Sequence, residues 1–238
     1  MGLQQTWQSS TYCWSPAESS TTSVIVSGIA GEAGRVDVTE GGARYNLSGV
    51  QGIGTANLAD SLVALKGIVF NEKRLGFDEF LDVLDADFQV PDGEKVRSRL
   101  INKYMKYGND LDEVDMVGVR VLKLFCDEVE KYTNPRGGVF SPGSYTVSAH
   151  MPLGEVVGAT PDGRRAKEQL ADGGLSPMGG RDELGPTAVL KSVSKLDNLL
   201  LSNGSLLNLK MMPSTLEETD TKYNPGATYN SSTKIGRA

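Results

Sequence analysis

Residues 158–185 read GATPDGRRAKEQLADGGLSPMGGRDELG. Glycine recurs at 158, 163, 173, 174, 179, 180 and 185, proline stands at 161 and 177, and the run has little periodicity. It predicts a long loop, and connections of this length inside compact domains tend to be functional or disordered. The flanks are regular. Upstream, Gly138 to Met151 turns β-rich through Val139, Phe140, Tyr145, Thr146 and Val147, and predicts a strand ended by Pro152-Leu153-Gly154. Before it, Asp110 to about Tyr132 carries Leu111, Val114, Val117, Val121, Leu124, Phe125 and Val129 at helical spacing, with acids in the first turn and Asn134-Pro135 as a stop. Downstream, Pro186 to Leu196 predicts a helix opened by proline, and Ser205 to Met212 (SLLNLKMM) a buried strand.

Further towards the N-terminus, Thr55 to about Lys73 places Leu58, Leu62, Leu65 and Val69 on one helical face, with Asn57 or Thr55 as cap. Phe77, Phe80, Leu81 and Leu84 predict a shorter amphipathic helix closed at Pro91-Asp92-Gly93, and Glu94 to Tyr104 a more polar one. The acids from Asp78 to Asp92 read as a solvated face. Residues 1–22 and 219–238 are polar and aperiodic, and Ser214-Thr215-Leu216-Glu217 has the form of a capping box with no helix behind it.

The composition excludes several classes of function. Across 238 residues, 24 Lys+Arg face 30 Asp+Glu, a net charge of −6, which leaves no basic excess for a nucleic-acid backbone. No apolar run approaches the roughly 18 to 20 residues of a membrane span, and no signal peptide opens the chain, so the expected location is the cytoplasm. Cys13 and Cys126 form no CxxC, and His150 is the only histidine, so neither a disulfide framework nor a metal site is expected. Cys126 reads as a small buried hydrophobe and His150 as a hydrogen-bonded structural residue, with a general base as its alternative. Gly28, Gly31 and Gly34 follow the β-branched run Ser23-Val24-Ile25-Val26 and read as a turn, with a phosphate loop as the competing reading. Gly49, Gly52 and Gly54 read as close-packing positions or, alternatively, as backbone donors to a ligand.

Several blocks carry more information than any of these. Asp37-Val38-Thr39-Glu40-Gly41-Gly42-Ala43-Arg44-Tyr45-Asn46, Ser48-Gly49-Val50-Gln51-Gly52-Ile53-Gly54 and Asp60-Ser61-Leu62 are followed by Lys106-Tyr107-Gly108-Asn109-Asp110, Gly158-Ala159-Thr160-Pro161-Asp162-Gly163-Arg164-Arg165 and Ser176-Pro177. In this order they resemble the glycyl radical enzymes of the pyruvate formate-lyase type, commonly described as formate C-acetyltransferases, in the branch of glycerol, propanediol and hydroxyproline dehydratases and choline lyase. The resemblance spans residues 23–218 and leaves 1–22 and 219–238 as unmatched tails. It implies an α/β barrel of ten strands in two half-barrels, of which this chain would be a truncated part, about one half-barrel with its surrounding helices.

The family's two radical loops are a Gly-Cys-x-Glu type motif, whose cysteine becomes a thiyl radical, and an Arg-Val-x-Gly-Tyr type motif, whose glycine stores the radical. Neither occurs in the 238 residues. The resemblance therefore implies a fragment of a lyase or dehydratase that cleaves a C–O, C–N or C–C bond of a small polar substrate, inactive alone and with no catalytic residue or bound cofactor of its own. The glycyl radical of the parent family is installed by a radical S-adenosylmethionine activase, which joins the substrate and a homodimer copy among the implied partners; nucleic acid and membrane do not. If residues 144–150 form a barrel strand, alternation groups Ser144, Thr146, Ser148 and His150 on one face and Tyr145, Val147 and Ala149 on the other. Thr146 and Ser148 are then the candidate substrate contacts. A non-catalytic binding or complementation module, or a gene remnant, is the second reading, and a nucleotide-binding α/β domain the third.

Overall fold

The computed structural model describes residues 37–42 and 45–209. The run at 23–26, the glycines at 28, 31 and 34, Cys13, the capping box at 214–217 and both tails lie outside them. After a 3-10 turn at Val38–Glu40 come strand β1 (Ser48–Gln51) and helix α1 (Thr55–Leu65), which widens into a π-helical turn over Lys66–Asn71. Helices α2 (Phe77–Asp85), α3 (Gly93–Asn102) and α4 (Asp112–Val129) follow, then strand β2 (Phe140–Gly143), helices α5 (His150–Val156) and α6 (Pro186–Ser194), and a 3-10 turn at Asn198–Leu200.

The strands are parallel, with Ser48 opposite Phe140 and Gln51 opposite Gly143, so α1 to α4 form the crossover between them. On its other edge β2 meets residues 203–206. The Asn203 N–H donates to the Pro142 carbonyl (2.9 Å), the Ser144 N–H to Gly204 (2.9 Å) and the Leu206 N–H to Ser144 (3.0 Å). Ser144 and Ser205 form a single parallel bridge. Among the described residues the sheet thus has two strands, with isolated bridges between Ser144 and Ser205 and, antiparallel, between Thr133 and Val139. Of the strand expected at 205–212, Ser205 makes the bridge to Ser144 and residues 210–212 lie outside the description.

Helix α1 starts where the sequence places it, but on different chemistry. Gly54 is the N-cap residue, with φ of 85°, a left-handed conformation that suits glycine. Neither Thr55 nor Asn57 caps it. The expected apolar face is corrected in its first half only, since Val69 is buried and Leu65 packs against the core. Leu58 and Leu62 are 47% and 40% exposed, whereas Ala56, Ala59, Val63 and Ala64 are buried. A Cβ placed on Gly118 of α4 would lie 3.8 Å from the Ala59 Cβ, so α1 and α4 approach through their smallest residues. That close approach turns the leucines outward.

Beyond α1 the packing is conventional. Ala64, Ile68, Val69, Phe80, Val83, Phe88 and Leu100 form one apolar cluster that joins the π-helical turn to α2 and α3. Each large side chain buried there contributes about 1.5–3 kcal/mol. Helix α4 forms as expected, but its buried face is shifted by about one residue. Of the expected positions Val114 and Val129 are buried, Leu111, Val117, Val121 and Phe125 are half-buried and Leu124 is 69% exposed, while Asp115, Gly118, Leu122 and Cys126 complete the inward face. Helix α6 begins on Pro186 as expected.

The strand expected over Gly138–Met151 is shorter. It ends at Gly143; the chain turns at 147–149, with Val147 at φ of 51°, and enters α5 at His150. The Ala149 N–H closes onto the Thr146 carbonyl at 2.7 Å, which ends extended structure. The alternation of faces through His150 does not form. No helix among the described residues is long and apolar enough to cross a membrane.

Candidate functional site

Ligands of parallel α/β sheets collect beyond the carboxyl ends of the strands. Here that end is formed by Gln51-Gly52 and by Gly143 to Thr146. The Ser144 hydroxyl donates to the Gly52 carbonyl (3.1 Å), and the Gln51 side-chain oxygen accepts the Tyr145 N–H (3.3 Å). The 158–185 loop folds over this end. Gly174, at φ of +103°, sits so close to the Ser144 backbone that a side chain would collide with it.

Thr146 is buried, and its hydroxyl oxygen accepts the Gly173 N–H at 2.9 Å. Ser148 is exposed in the turn before α5. The two therefore do not share a face. His150 is half-buried; its carbonyl accepts the Leu170 N–H (3.1 Å) and its Nδ1 finds no partner. Gly49 and Gly52 face the Asn203 side chain and the Phe125 ring, which makes them positions of close packing.

The loop has neither helix nor strand, as expected, yet much of it is buried. Arg164 is 1% exposed, and its guanidinium donates to the carbonyls of Glu168 (2.6 Å), Val157 (3.2 Å) and Gly158 and to the Thr160 hydroxyl (3.3 Å). Burial lowers its pKa from the ordinary arginine value. The guanidinium thus closes the loop on itself.

A polar junction fixes the loop to the helices. From α1, the Asn57 amide donates to Asp162 Oδ2 (2.8 Å) and accepts the Ala171 N–H (2.7 Å), while the Ser61 hydroxyl accepts the Asp162 N–H (3.2 Å). Asp60 is fully buried; its Oδ1 accepts the Tyr107 N–H (2.7 Å) and its Oδ2 has no partner. Lys106 Nζ donates to the Asp162 carbonyl (3.2 Å), and the Tyr107 hydroxyl to the Leu175 carbonyl (3.1 Å). Burial raises the Asp60 carboxyl to about 7, against the opposing pull of Lys106. Burial also lowers Lys106 from the usual lysine range, which Asp60 and Asp162 resist.

A second anchor joins α4 to α6. Asp115, fully buried, accepts from the Ser192 hydroxyl (2.9 Å) and Lys195 Nζ (2.7 Å), and Lys195 also meets Asp110 (3.0 Å) and Asp112 (2.7 Å). Cys126 is buried on α4, and burial pushes its thiol up to about 11, which suits the small-hydrophobe reading. Among the described residues no group of three or more His, Cys, Asp or Glu is placed to hold a metal ion.

A parallel strand pair with a helical crossover and a glycine-rich loop over its carboxyl end defines an α/β protein. The comparisons make the assignment specific. Residues 20–154 match the family model described as pyruvate formate lyase-like, and residues 171–233 the one described as glycine radical. The chain belongs to the pyruvate formate lyase-like family of glycyl radical enzymes.

It is 43% identical over 192 residues to the probable dehydratase YbiW of Escherichia coli (strain K12), covering 78% of this chain and 24% of that protein. It is 36% identical over 181 residues to the trans-4-hydroxy-L-proline dehydratase of Clostridioides difficile, covering 76% and 22%. The glycerol-bound structure of the B12-independent glycerol dehydratase from Clostridium butyricum superposes with a TM-score of 0.71 at 48% identity, over 77% of this chain and 23% of that one. The chain thus spans about a quarter of the length of these relatives.

Asp60, Lys106 and Asp162 had no assigned role in the sequence, although they stand inside three of the blocks that carry the resemblance, and Asn57 was expected only as a helix cap. The signal was their presence as polar residues in otherwise unrelated segments. What they share is visible only once the segments meet.

Proposed function

We propose that this chain is the part of a cytoplasmic glycyl radical dehydratase or lyase that supports the substrate end of a half-barrel, and that it does not turn over by itself. The observation that carries this is the superposition on glycerol dehydratase at 48% identity. The 238 residues contain neither a Gly-Cys-x-Glu nor an Arg-Val-x-Gly-Tyr motif, so both the hydrogen-abstracting cysteine and the radical-storing glycine would come from other sequence. A small polyol such as glycerol is the substrate class that this neighbour supports, and a radical S-adenosylmethionine activase is the implied partner in forming the glycyl radical.

Within that reading Thr146 and Ser148 are substrate contacts. The exposed Ser148 hydroxyl offers a donor and an acceptor, whereas Thr146, whose oxygen is taken by Gly173, has its hydroxyl proton to give. The test is anaerobic EPR of the chain after incubation with an activase and S-adenosylmethionine, together with an assay of glycerol and propane-1,2-diol dehydration. No glycyl doublet and no aldehyde are expected; a doublet would overturn the claim of inactivity.

A second reading, a complementation module that docks to a chain carrying the two loops, is favoured by the outward Leu58 and Leu62 of α1. Such a face suits burial against protein. Stoichiometric co-purification with a glycyl radical protein would support it.

A further inference from the structure

The Asp60 carboxyl sits where three segments meet, and its surroundings are unusual for an ionised group. It is fully buried, one oxygen accepts the Tyr107 N–H at 2.7 Å, and the other has no hydrogen-bond partner. An ionised carboxylate with an empty oxygen in such a place loses hydration that nothing replaces. The neighbouring dipeptide holds the loop at two points, Lys106 at the Asp162 carbonyl (3.2 Å) and Tyr107 at the Leu175 carbonyl (3.1 Å). Between those points lie Gly173, bound to Thr146, and Gly174, pressed against Ser144. The state of Asp60 therefore bears on the segment that closes the carboxyl end of the sheet.

We propose that Asp60 and the Lys106-Tyr107 dipeptide form a proton-controlled latch on the 158–176 loop, shut when Asp60 is neutral and loosened when it ionises. The charged and titratable groups around Asp60 are Lys106 and Tyr107 from the turn before α4 and Asp162 and Arg181 from the loop region, and Asp115 of α4 acts on Tyr107 in turn. Lys106 and Arg181 favour ionisation and Asp162 opposes it, while burial outweighs them and raises the carboxyl to about 7. In an opened junction Asp60 meets water and returns to the ordinary carboxylate range. The raised group stabilises the shut state at low pH, and that advantage is lost as pH rises from the ordinary carboxylate value through about 7. This device stands on the junction alone and does not depend on which substrate the protein takes.

The test is hydrogen exchange of the Asp162, Ala171 and Gly173 amides in the full 238-residue chain, corrected for intrinsic rates, from pH 5 to 8.5. The opening constant should rise about tenfold per pH unit up to about pH 7 and level off above it. Asp60→Asn should flatten the profile, and Lys106→Met should move the plateau to higher pH by removing the cation. Carboxyl carbon NMR of Asp60 in the unmodified chain supplies a readout that needs no variant. Flat exchange in the unmodified chain, an unchanged profile in Asp60→Asn, or an Asp60 titration in the ordinary carboxylate range would each overturn the latch.

Discussion

Two regions of this chain bury comparable sets of side chains by opposite chemistry. The cluster of Ala64, Ile68, Val69, Phe80, Val83, Phe88 and Leu100 is apolar throughout and joins segments near one another in sequence. The junction of Asn57, Asp60, Ser61, Lys106, Tyr107 and Asp162 is mostly polar, and it ties α1 to a loop about a hundred residues away. The first is held by loss of apolar surface from water, which is tolerant of detail. The second holds only if each partner is present, because a buried group left unpaired costs more than a good pair contributes. The apolar cluster therefore sets stability, and the polar junction sets where the glycine-rich loop lies.

The largest expected effect breaks the apolar side. Phe80→Ala, at a fully buried position, should cost about 3–5 kcal/mol through lost transfer energy and the cavity left behind. Urea denaturation followed by circular dichroism measures it. Exchange at Ala171 and Gly173 should keep its pH dependence in this variant, since the junction is untouched.

Somewhat smaller, and different in kind, is the effect on the polar side. Asn57→Ala strands Asp162 Oδ2 and the Ala171 N–H and should cost about 2–3 kcal/mol. Limited proteolysis should then cut first within 158–176 while α2 and α3 remain resistant. Cleavage that began in α2 or α3 would show that the two regions are not separable.

The same contrast explains what was legible in the sequence. Helices α1 to α4 and α6 follow from hydrophobic spacing and end signals, and the loop from its glycines. Burial of α1 was misread because a periodic count rewards Leu58 and Leu62 and ignores that Ala59 must meet Gly118. The chain after Gly143 was misread because Tyr145, Thr146 and Val147 favour strands, whereas the Thr146 hydroxyl and carbonyl are spent on Gly173 and Ala149. The candidate junction was illegible for a related reason. Asn57, Asp60 and Ser61 lie on one short stretch of α1 and look like a polar surface until the partners from 106–107 and 162–171 arrive. Resemblance marked those blocks as belonging together; only their hydrogen bonds say why.

A third prediction uses a buried group that belongs to neither region. With its thiol pushed up to about 11 and its side chain 1% exposed, Cys126 is a neutral thiol at pH 7.5 and barely accessible. Alkylation by iodoacetamide at this residue, read by peptide mass mapping, should be at least tenfold slower in native buffer than in 6 M urea, a concentration of about this order being enough to unfold small domains. Rapid native labelling would place α4 in frequent opening and undercut the rigid support that it gives α1.

The smallest effect tests the surface that the leucines leave open. Leu58→Lys should change the stability of the chain by no more than about 0.5 kcal/mol, because the side chain is already 47% exposed. If that exposed face is where another polypeptide packs, the same substitution should weaken association steeply while leaving the melting temperature of the chain alone nearly fixed. A large loss of stability in the isolated chain would instead mean that Leu58 is covered within it. The inward alanines of α1 would then not be what fixes its packing on α4, and the contrast between small inward residues and large outward ones would fail at its first position.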